Sequence, residues 1–88
     1  MKLTKVLWTD ESWEDYEYWQ KKDKNKLRKI NELIKAIKRE PFEGIGKPEK
    51  LKYEEGLWSR RINIEHRLTY QIFNDTVYIV TCRYHYDN

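Results

Sequence analysis

A set of charged side chains in the second half of the chain has the composition of a phosphoryl-transfer site. The set holds one carboxylate, one imidazole and four cations: Glu49, His85, Lys52, Arg61, Arg67 and Arg83. In RNA the 2′-hydroxyl is the nucleophile, so cleavage needs a base, an acid for the leaving 5′-oxygen, and cations for the phosphoryl oxygens. A positioned acid or base contributes about 10² to 10⁴-fold, and an oriented donor about 3 to 4 kcal/mol. The composition therefore favours RNA cleavage, for which no metal is required.

Three stretches in this half alternate between apolar and polar residues, as strands do. They are Leu57–Ile64, His66–Phe73 and Thr76–Tyr84. Asn and Asp at residues 74–75 predict a tight turn between the last two, and a further short strand is expected near Leu51–Tyr53. The sequence therefore predicts a meander of three or four antiparallel strands.

Alternation also predicts which side chains meet, because successive residues of a strand point to opposite faces. It assigns Arg61, Arg67, Arg83 and His85 to one partly polar face, and it assigns Tyr84 to the core side. Such a face would be a cationic concavity with a titratable group at its edge. That is the outline of an anion site.

Glu49 and Lys52 follow the loop over residues 40–48. The loop holds both prolines and two of the three glycines, so neither a helix nor a strand is expected there. We expect it to hold the two side chains at an edge of the sheet.

Each of these residues has a simpler interpretation when it is considered alone. The outer face of a half-solvated antiparallel sheet is normally polar, so a single arginine there is usually a surface residue. A lone C-terminal histidine is usually inert. The combination of an acid, a base and several guanidinium groups is less easily explained in this way.

The first half of the chain predicts one strand and two helices. Lys2–Trp8 alternates weakly as a strand, and Thr9 is a suitable cap for a helix that ends near Lys22–Asp23. Apolar residues at spacings of three and four over residues 27–37 indicate a second helix, which Pro41 stops. The predicted fold is α+β, with a helical hairpin packed on an antiparallel sheet of about four to five strands.

Length and composition limit the class of protein. The 88 residues have room for one domain, residues 1–88, and four Trp, seven Tyr and two Phe supply large core side chains. No stretch suggests a signal peptide or a membrane span, so we expect a cytoplasmic protein. Cys82 is expected to be a small hydrophobe, and its spacing from His66 and His85 matches no metal site. We expect no cofactor.

The charges are unevenly distributed along the chain. The net charge is +3, yet residues 21–39 hold nine Lys or Arg against Asp23 and Glu32. A basic helix is usually a solvated face, but it also suits salt-sensitive phosphate contacts with RNA.

Six segments, taken together, resemble one known family. In sequence order they are residues 11–16 (ESWEDY), 29–35 (KINELIK), 41–49 (PFEGIGKPE), 58–62 (WSRRI), 65–68 (EHRL) and 82–86 (CRYHY). They resemble the YoeB family of the RelE-like toxins, which belong to toxin–antitoxin modules. The resemblance extends over nearly the whole chain.

The resemblance implies a microbial-ribonuclease-like fold and a ribosome-dependent mRNA interferase, which inhibits translation by cleaving mRNA in the ribosomal A site. It also implies a YefM-like antitoxin and a homodimer. By motif, the family's general base falls on Glu49, its phosphate-stabilising arginine on Arg67 and its general acid on His85. Three further positions match residues that support binding or geometry in such toxins: Lys52, Arg61 and Tyr86.

The chain departs from the family's pattern at both ends and in one loop. It has a few extra residues before Trp8, and its loop over residues 53–56 is shorter. Asp87 and Asn88 extend the His-Tyr end of the family, and a carboxylate there would pair with His85 or Arg67 and compete with the substrate phosphate.

Two other functions remain open at this point. The first is a non-catalytic inhibitor, because related toxins of the same fold lack the acid–base set and inhibit a protein such as DNA gyrase. The presence of Glu49 and His85 argues against this function. A structural RNA-binding module would bind ribosomes without cleaving mRNA.

Overall fold

The computed structural model describes residues 3–52 and 54–84, and its first helix begins at a capping side chain. Thr9 caps α1 (Asp10–Lys22), because its hydroxyl oxygen accepts a hydrogen bond of 3.0 Å from the backbone N–H of Ser12. The predicted cap and the predicted end of this helix are both confirmed.

Asp23 joins the two helices. Its backbone N–H donates to the Trp19 carbonyl at the end of α1, and its carboxylate accepts from two N–H groups in the first turn of α2 (Lys24–Arg39). α2 ends before Pro41, as predicted, because proline cannot continue the backbone hydrogen bonding. One residue therefore closes the helical hairpin.

Within the described residues, five strands form a single sheet in the order β1-β5-β4-β3-β2. They are β1 (Lys5–Trp8), β2 (Glu49–Lys50), β3 (Leu57–Arg61), β4 (Arg67–Phe73) and β5 (Thr76–Thr81). The neighbours from β2 to β5 are antiparallel, whereas β1 pairs with β5 in parallel. The predicted α+β class is confirmed, but the sheet is mixed, because alternation identifies a strand without giving its direction.

Two predicted strand boundaries are wrong for local reasons. β3 ends at Arg61 because the Asn63 side chain accepts hydrogen bonds from the N–H groups of Glu65 and His66, which turns the chain. β5 ends at Thr81, where its ladder with β4 stops.

The edge strand next to β3 does not lie at Leu51–Tyr53 as we predicted. Glu49 pairs with Ser59, and the next residue pairs with Trp58. Leu51 instead turns inward and is buried, and its N–H donates to the Leu57 carbonyl at 2.9 Å. Tyr53 falls outside the described residues.

A β-bulge interrupts the pairing of β4 with β5. Tyr70 lies opposite Ile79, but Thr69 lies opposite Thr81, so Val80 is an extra residue in β5. The alternation of side chains therefore reverses at this point.

The bulge corrects the predicted faces of the last strand. Val77 and Ile79 are fully buried in the core beneath the helices, although alternation had grouped them with Arg83 and His85. Tyr84, which was predicted on the core side, is 56% exposed. Unbroken alternation cannot detect an extra residue, so it grouped Val77 and Ile79 wrongly with Thr81. Tyr84 is exposed because it lies beyond the end of β5.

The helices cover one face of the sheet. Trp19 of α1 packs there together with the buried face of α2, which consists of Ile30, Leu33 and Ile37. Within residues 3–52 and 54–84, neither helix is long and apolar enough to cross a membrane. The opposite face of the sheet carries the polar residues that follow.

Candidate functional site

The sheet face opposite the helices carries the predicted site residues that lie on strands. Glu49 of β2 lies beside Ser59 of β3, and Ser59 lies beside Thr69 of β4. In the next row of the same face, Arg61 lies beside Arg67. We call these five residues the site face.

Arg67 is held in place by the neighbouring strand, β3, and by the loop that precedes Glu49. Its Nε donates to the Ser59 hydroxyl at 2.8 Å, and its Nη2 donates to the Ser59 and Lys47 carbonyls at 3.2 and 3.1 Å. Nη2 also lies 4.0 Å from a carboxylate oxygen of Glu49, and the Arg67 side chain is only 15% exposed. The guanidinium is therefore oriented before any ligand arrives.

Two of the predicted charges lie beside Arg67, since Arg61 is its partner on β3 and Glu49 is 4.0 Å away. Burial lowers the pKa of Arg67, the Glu49 carboxylate opposes that change, and the charge of Arg61 adds to it. Arginine stays protonated at neutral pH despite such shifts. The site face thus holds two cations and a carboxylate within electrostatic reach of one another.

The other predicted residues of this region are accessible to a ligand. The Glu49 side chain is 56% exposed. Arg61 at the end of β3 and Lys52 in the bend after β2 are also exposed. An anion could therefore reach Arg67 past these side chains.

The loop before Glu49 is fixed by its backbone. The N–H of Arg61 donates to the Gly46 carbonyl at 2.5 Å. Gly46 has a positive φ of 83°, and a Cβ added there would lie 2.7 Å from a methyl carbon of Leu33. Lys47, with a φ of 49°, then turns its carbonyl to Arg67. This glycine is required by both backbone conformation and space.

Arg60 also holds this loop in place, a role that was not predicted from the sequence. Its guanidinium is fully buried and donates to the carbonyls of Glu43 and Ile45 at 2.8 and 3.1 Å, and also to the carbonyl of Glu40. Its Nε donates to the Tyr70 hydroxyl at 3.2 Å. A signal was present, because alternation puts Arg60 on the apolar side of its strand, where a charged side chain needs buried partners.

Arg83 lies apart from Arg61 and Arg67, which corrects the predicted concavity of three arginines. Its Cζ lies 3.6 Å from the ring centroid of Tyr18 in α1 and 4.8 Å from that of Tyr84. Arg83 follows the end of β5 at Thr81, where the chain leaves the sheet and α1 binds both backbone groups of Cys82.

The chain nevertheless returns to the site after β5. The Tyr84 carbonyl accepts a hydrogen bond of 2.8 Å from the backbone N–H of Arg67, and the Tyr84 N–H donates to Nδ1 of His66 at 2.7 Å. His85 and Tyr86, the predicted general acid and a supporting residue, lie outside the described residues. His85 follows Tyr84 directly in the sequence.

The described part of the chain shows no reactive thiol and no metal site beside the site face. Cys82 is fully buried, and burial raises the pKa of its thiol. Among residues 3–52 and 54–84, no group of three His, Cys, Asp or Glu side chains could hold a metal ion.

Comparison with known proteins identifies the family. A model of the YoeB-like toxin of bacterial type II toxin–antitoxin systems matches residues 8–86. Toxin YoeB of Escherichia coli K12 is 58% identical over 83 residues, which cover 93% of this chain and 99% of that toxin.

Solved structures agree with this sequence similarity. The YoeB/ParE toxin from Agrobacterium tumefaciens has a TM-score of 0.91 at 48% identity and covers 94% of this chain and 100% of its own. A YoeB dimer and a heterotetrameric YoeB–YefM complex, both from Staphylococcus aureus, have TM-scores of 0.89 and 0.86 at 46% and 48% identity. Each covers 98% of this chain and 100% of its own. The chain therefore belongs to the YoeB-like toxins of bacterial type II toxin–antitoxin systems.

Proposed function

We propose that this toxin is a ribosome-dependent endoribonuclease that cleaves mRNA in the ribosomal A site without a metal ion and so inhibits translation. One observation carries the proposal. The oriented Arg67 guanidinium lies 4.0 Å from Glu49, while its backbone N–H binds Tyr84, the residue before His85. A base, a cation and an acid are therefore expected around one phosphate.

In this mechanism Glu49 takes the proton from the 2′-hydroxyl, and the freed oxygen attacks the adjacent phosphorus. Arg67, with Arg61 and Lys52, stabilises the negative charge that develops on the phosphoryl oxygens. His85 gives its proton to the 5′-oxygen as the bond from phosphorus to that oxygen breaks. The products are a 2′,3′-cyclic phosphate, or the 3′-phosphate formed from it, and a 5′-hydroxyl.

The contacts of the site face suit these roles. Glu49 is exposed enough to meet a ribose hydroxyl, whereas Arg67 is largely enclosed and held by Ser59 and Lys47. A fixed cation needs no reorganisation when charge develops on the phosphate. We assign Tyr86 a supporting role beside His85.

Docking on the ribosome is assigned to the basic helix. α2 buries Ile30, Leu33 and Ile37, while Lys35 and Arg39 are among its exposed cations. Cations on a surface helix bind phosphates without regard to base sequence, and such binding weakens with salt. α2 would hold ribosomal RNA and take no part in the chemistry.

The proposed protein partners are those found with relatives of this chain. The Staphylococcus aureus relatives form a dimer and a complex with YefM. We propose that this chain likewise forms a homodimer, binds a YefM-like antitoxin and acts in the cytoplasm on ribosomes.

Primer extension on translated mRNA tests the proposal. Glu49→Gln and His85→Ala should each slow cleavage by about 10²-fold or more, whereas Glu55→Gln, which changes an exposed carboxylate outside the site face, should cleave normally. The new RNA ends should be 5′-hydroxyls. Undiminished cleavage by His85→Ala would overturn the assigned acid. Binding to ribosomes without cleavage would favour an RNA-binding module, and inhibition of DNA gyrase without cleavage would favour a protein inhibitor.

A further inference from the structure

The segment that follows β5 is fixed by side chains that have no role in the proposed chemistry. α1 holds both backbone groups of Cys82. The Cys82 N–H donates to a carboxylate oxygen of Asp15 at 3.0 Å, and its carbonyl accepts from the indole N–H of Trp19 at 2.8 Å. Because Asp15 and Trp19 are four residues apart, they lie on the same face of the helix.

The next residue is held by the same helix face. The Arg83 guanidinium lies over the Tyr18 ring, 3.6 Å from its centroid, and also contacts the Tyr84 ring. This geometry is that of a cation–π contact. Arg83 therefore binds α1 instead of the substrate side of the sheet.

Tyr84 adopts an unusual backbone conformation at the end of this segment. Its φ is 62°, a left-handed conformation that a non-glycine residue seldom adopts without support. Two hydrogen bonds supply the support: its N–H donates to Nδ1 of His66, and its carbonyl accepts from the Arg67 N–H.

His66 is suited to act as this acceptor. The imidazole is buried, and its ring packs edge-on against Trp19 with centroids 4.8 Å apart. Because Nδ1 accepts the Tyr84 N–H, the proton of the neutral ring is on Nε2. The imidazole is therefore fixed by packing and serves as a hydrogen-bond acceptor.

We propose that four residues, Asp15, Tyr18, Trp19 and His66, form an anchor that positions the general acid. They are positioning residues, since they hold the backbone of residues 82–84 so that His85 meets the phosphate at Arg67. This inference rests on the proposed function, because it needs His85 to be the acid. A general acid must be held close to its proton acceptor, and a small displacement costs rate.

A matched pair of substitutions at His66 separates hydrogen bonding from packing. In His66→Asn, Oδ1 is the same number of bonds from Cα as the histidine Nδ1, so the acceptor is kept and the ring is lost. In His66→Ala both are lost. The anchor predicts that His66→Ala lowers kcat for ribosomal mRNA cleavage at least tenfold with KM within twofold of the parent. His66→Asn should recover most of that loss.

Amide hydrogen exchange of Tyr84 gives a readout that does not depend on RNA. Protection of this amide should be lost in His66→Ala and kept in His66→Asn. If the two variants lose kcat equally, or if Tyr84 stays protected in His66→Ala, the anchor is wrong. A purely structural role of the ring predicts equal losses, because neither variant keeps it.

A second pair covers the case in which His66→Ala does not fold. Tyr18→Phe keeps the ring beneath Arg83 and should retain the parent kcat, whereas Tyr18→Leu should lower it at unchanged KM. Equal kcat values for these two variants would count against the anchor. His85→Ala in the same assay tests the proposed function separately. Full activity of this variant would show that His85 is not the general acid, whereas the hydrogen exchange of Tyr84 would still report whether His66 holds its backbone.

Discussion

Arg60 is a buried guanidinium whose partners are mostly backbone carbonyls. It fixes the loop that ends at Lys47, and that loop in turn binds Arg67. Replacing it by Met would leave several buried acceptors without a donor, each of which costs about 1 to 3 kcal/mol. We expect Arg60→Met to lower the free energy of unfolding by about 3 kcal/mol or more.

Urea denaturation compares this variant with its neighbour. Arg61 is exposed, so Arg61→Met should change the free energy of unfolding by no more than about 0.5 kcal/mol. Equal stabilities of the two variants would show that the Arg60 hydrogen bonds contribute little.

Cys82 has the properties of an inert thiol. It is fully buried, and burial, with a further contribution from the Asp15 carboxylate, raises the pKa of the thiol. Only the thiolate reacts readily, so iodoacetamide should not label the native protein but should label it in concentrated urea. Thr4→Cys, at an exposed position, should be labelled without urea. Labelling of the parent at a similar rate would contradict this burial.

The sequence predicted which charged side chains lie together better than it predicted the residues that hold them in place. Glu49 and Arg67 could be brought together from alternation and the position of the loop, and the structure confirms that they are neighbours. Alternation put Arg60 on the apolar side of its strand, but its partners could not be predicted, because they are loop carbonyls 15 to 20 positions away in the sequence. Sequence periodicity carries no information on such contacts.

At the level of elements, the helices were predictable because their signals are local. Thr9 and Pro41 mark helix ends by capping and by the missing N–H. The faces of β5 were not predictable, because the bulge at Val80 is set by pairing with β4. The position of Arg83 was wrong because β5 ends at Thr81, so alternation no longer applies to this residue.

Asp23 gives the helical hairpin a pH dependence. The hydrogen bond with Lys26, followed by backbone N–H bonds, lowers the pKa of Asp23 below its ordinary value. A lowered folded-state pKa stabilises the fold above the unfolded-state pKa of about 3.9, and this stabilisation is lost as the pH falls through the folded-state value.

Asp23→Asn isolates this effect, because its amide oxygen still caps α2 but does not titrate. The parent should be more stable than the variant at neutral pH, and the difference should begin to shrink as the pH falls below about 4 and disappear below the folded-state pKa of Asp23. Urea midpoints measured from pH 2 to 7 test it. Parallel pH profiles for the two proteins would exclude a contribution from the Asp23 charge.

At the level of the whole molecule, the charges predict how ribosome binding responds to salt. Each phosphate contact contributes about 0.7 to 0.9 to the slope of log K against log salt concentration. Lys35 is exposed on α2, whereas Lys5 is exposed on β1 near Asp75. Lys35→Gln should reduce the slope by roughly one contact, and Lys5→Gln should leave it unchanged. Filter binding over a salt series measures both, and equal slopes would contradict docking through α2.

The parallel pairing of β1 with β5 has a consequence for folding kinetics. This pairing joins residues far apart in sequence, such as Val6 with Val77, whereas β3, β4 and β5 follow one another along the chain. Closing the long loop is entropically costly, so the meander should form in the transition state before β1 joins it.

Two valines of the same register test this order. Val6→Ala should speed unfolding and leave the folding rate nearly unchanged, whereas Val77→Ala should slow folding. Chevron plots of the two variants measure these rates, and a folding rate reduced equally by both would mean that β1 pairs early. In the predicted order, β1 is the last strand of the sheet to assemble and the first to detach from β5, the strand that leads to His85.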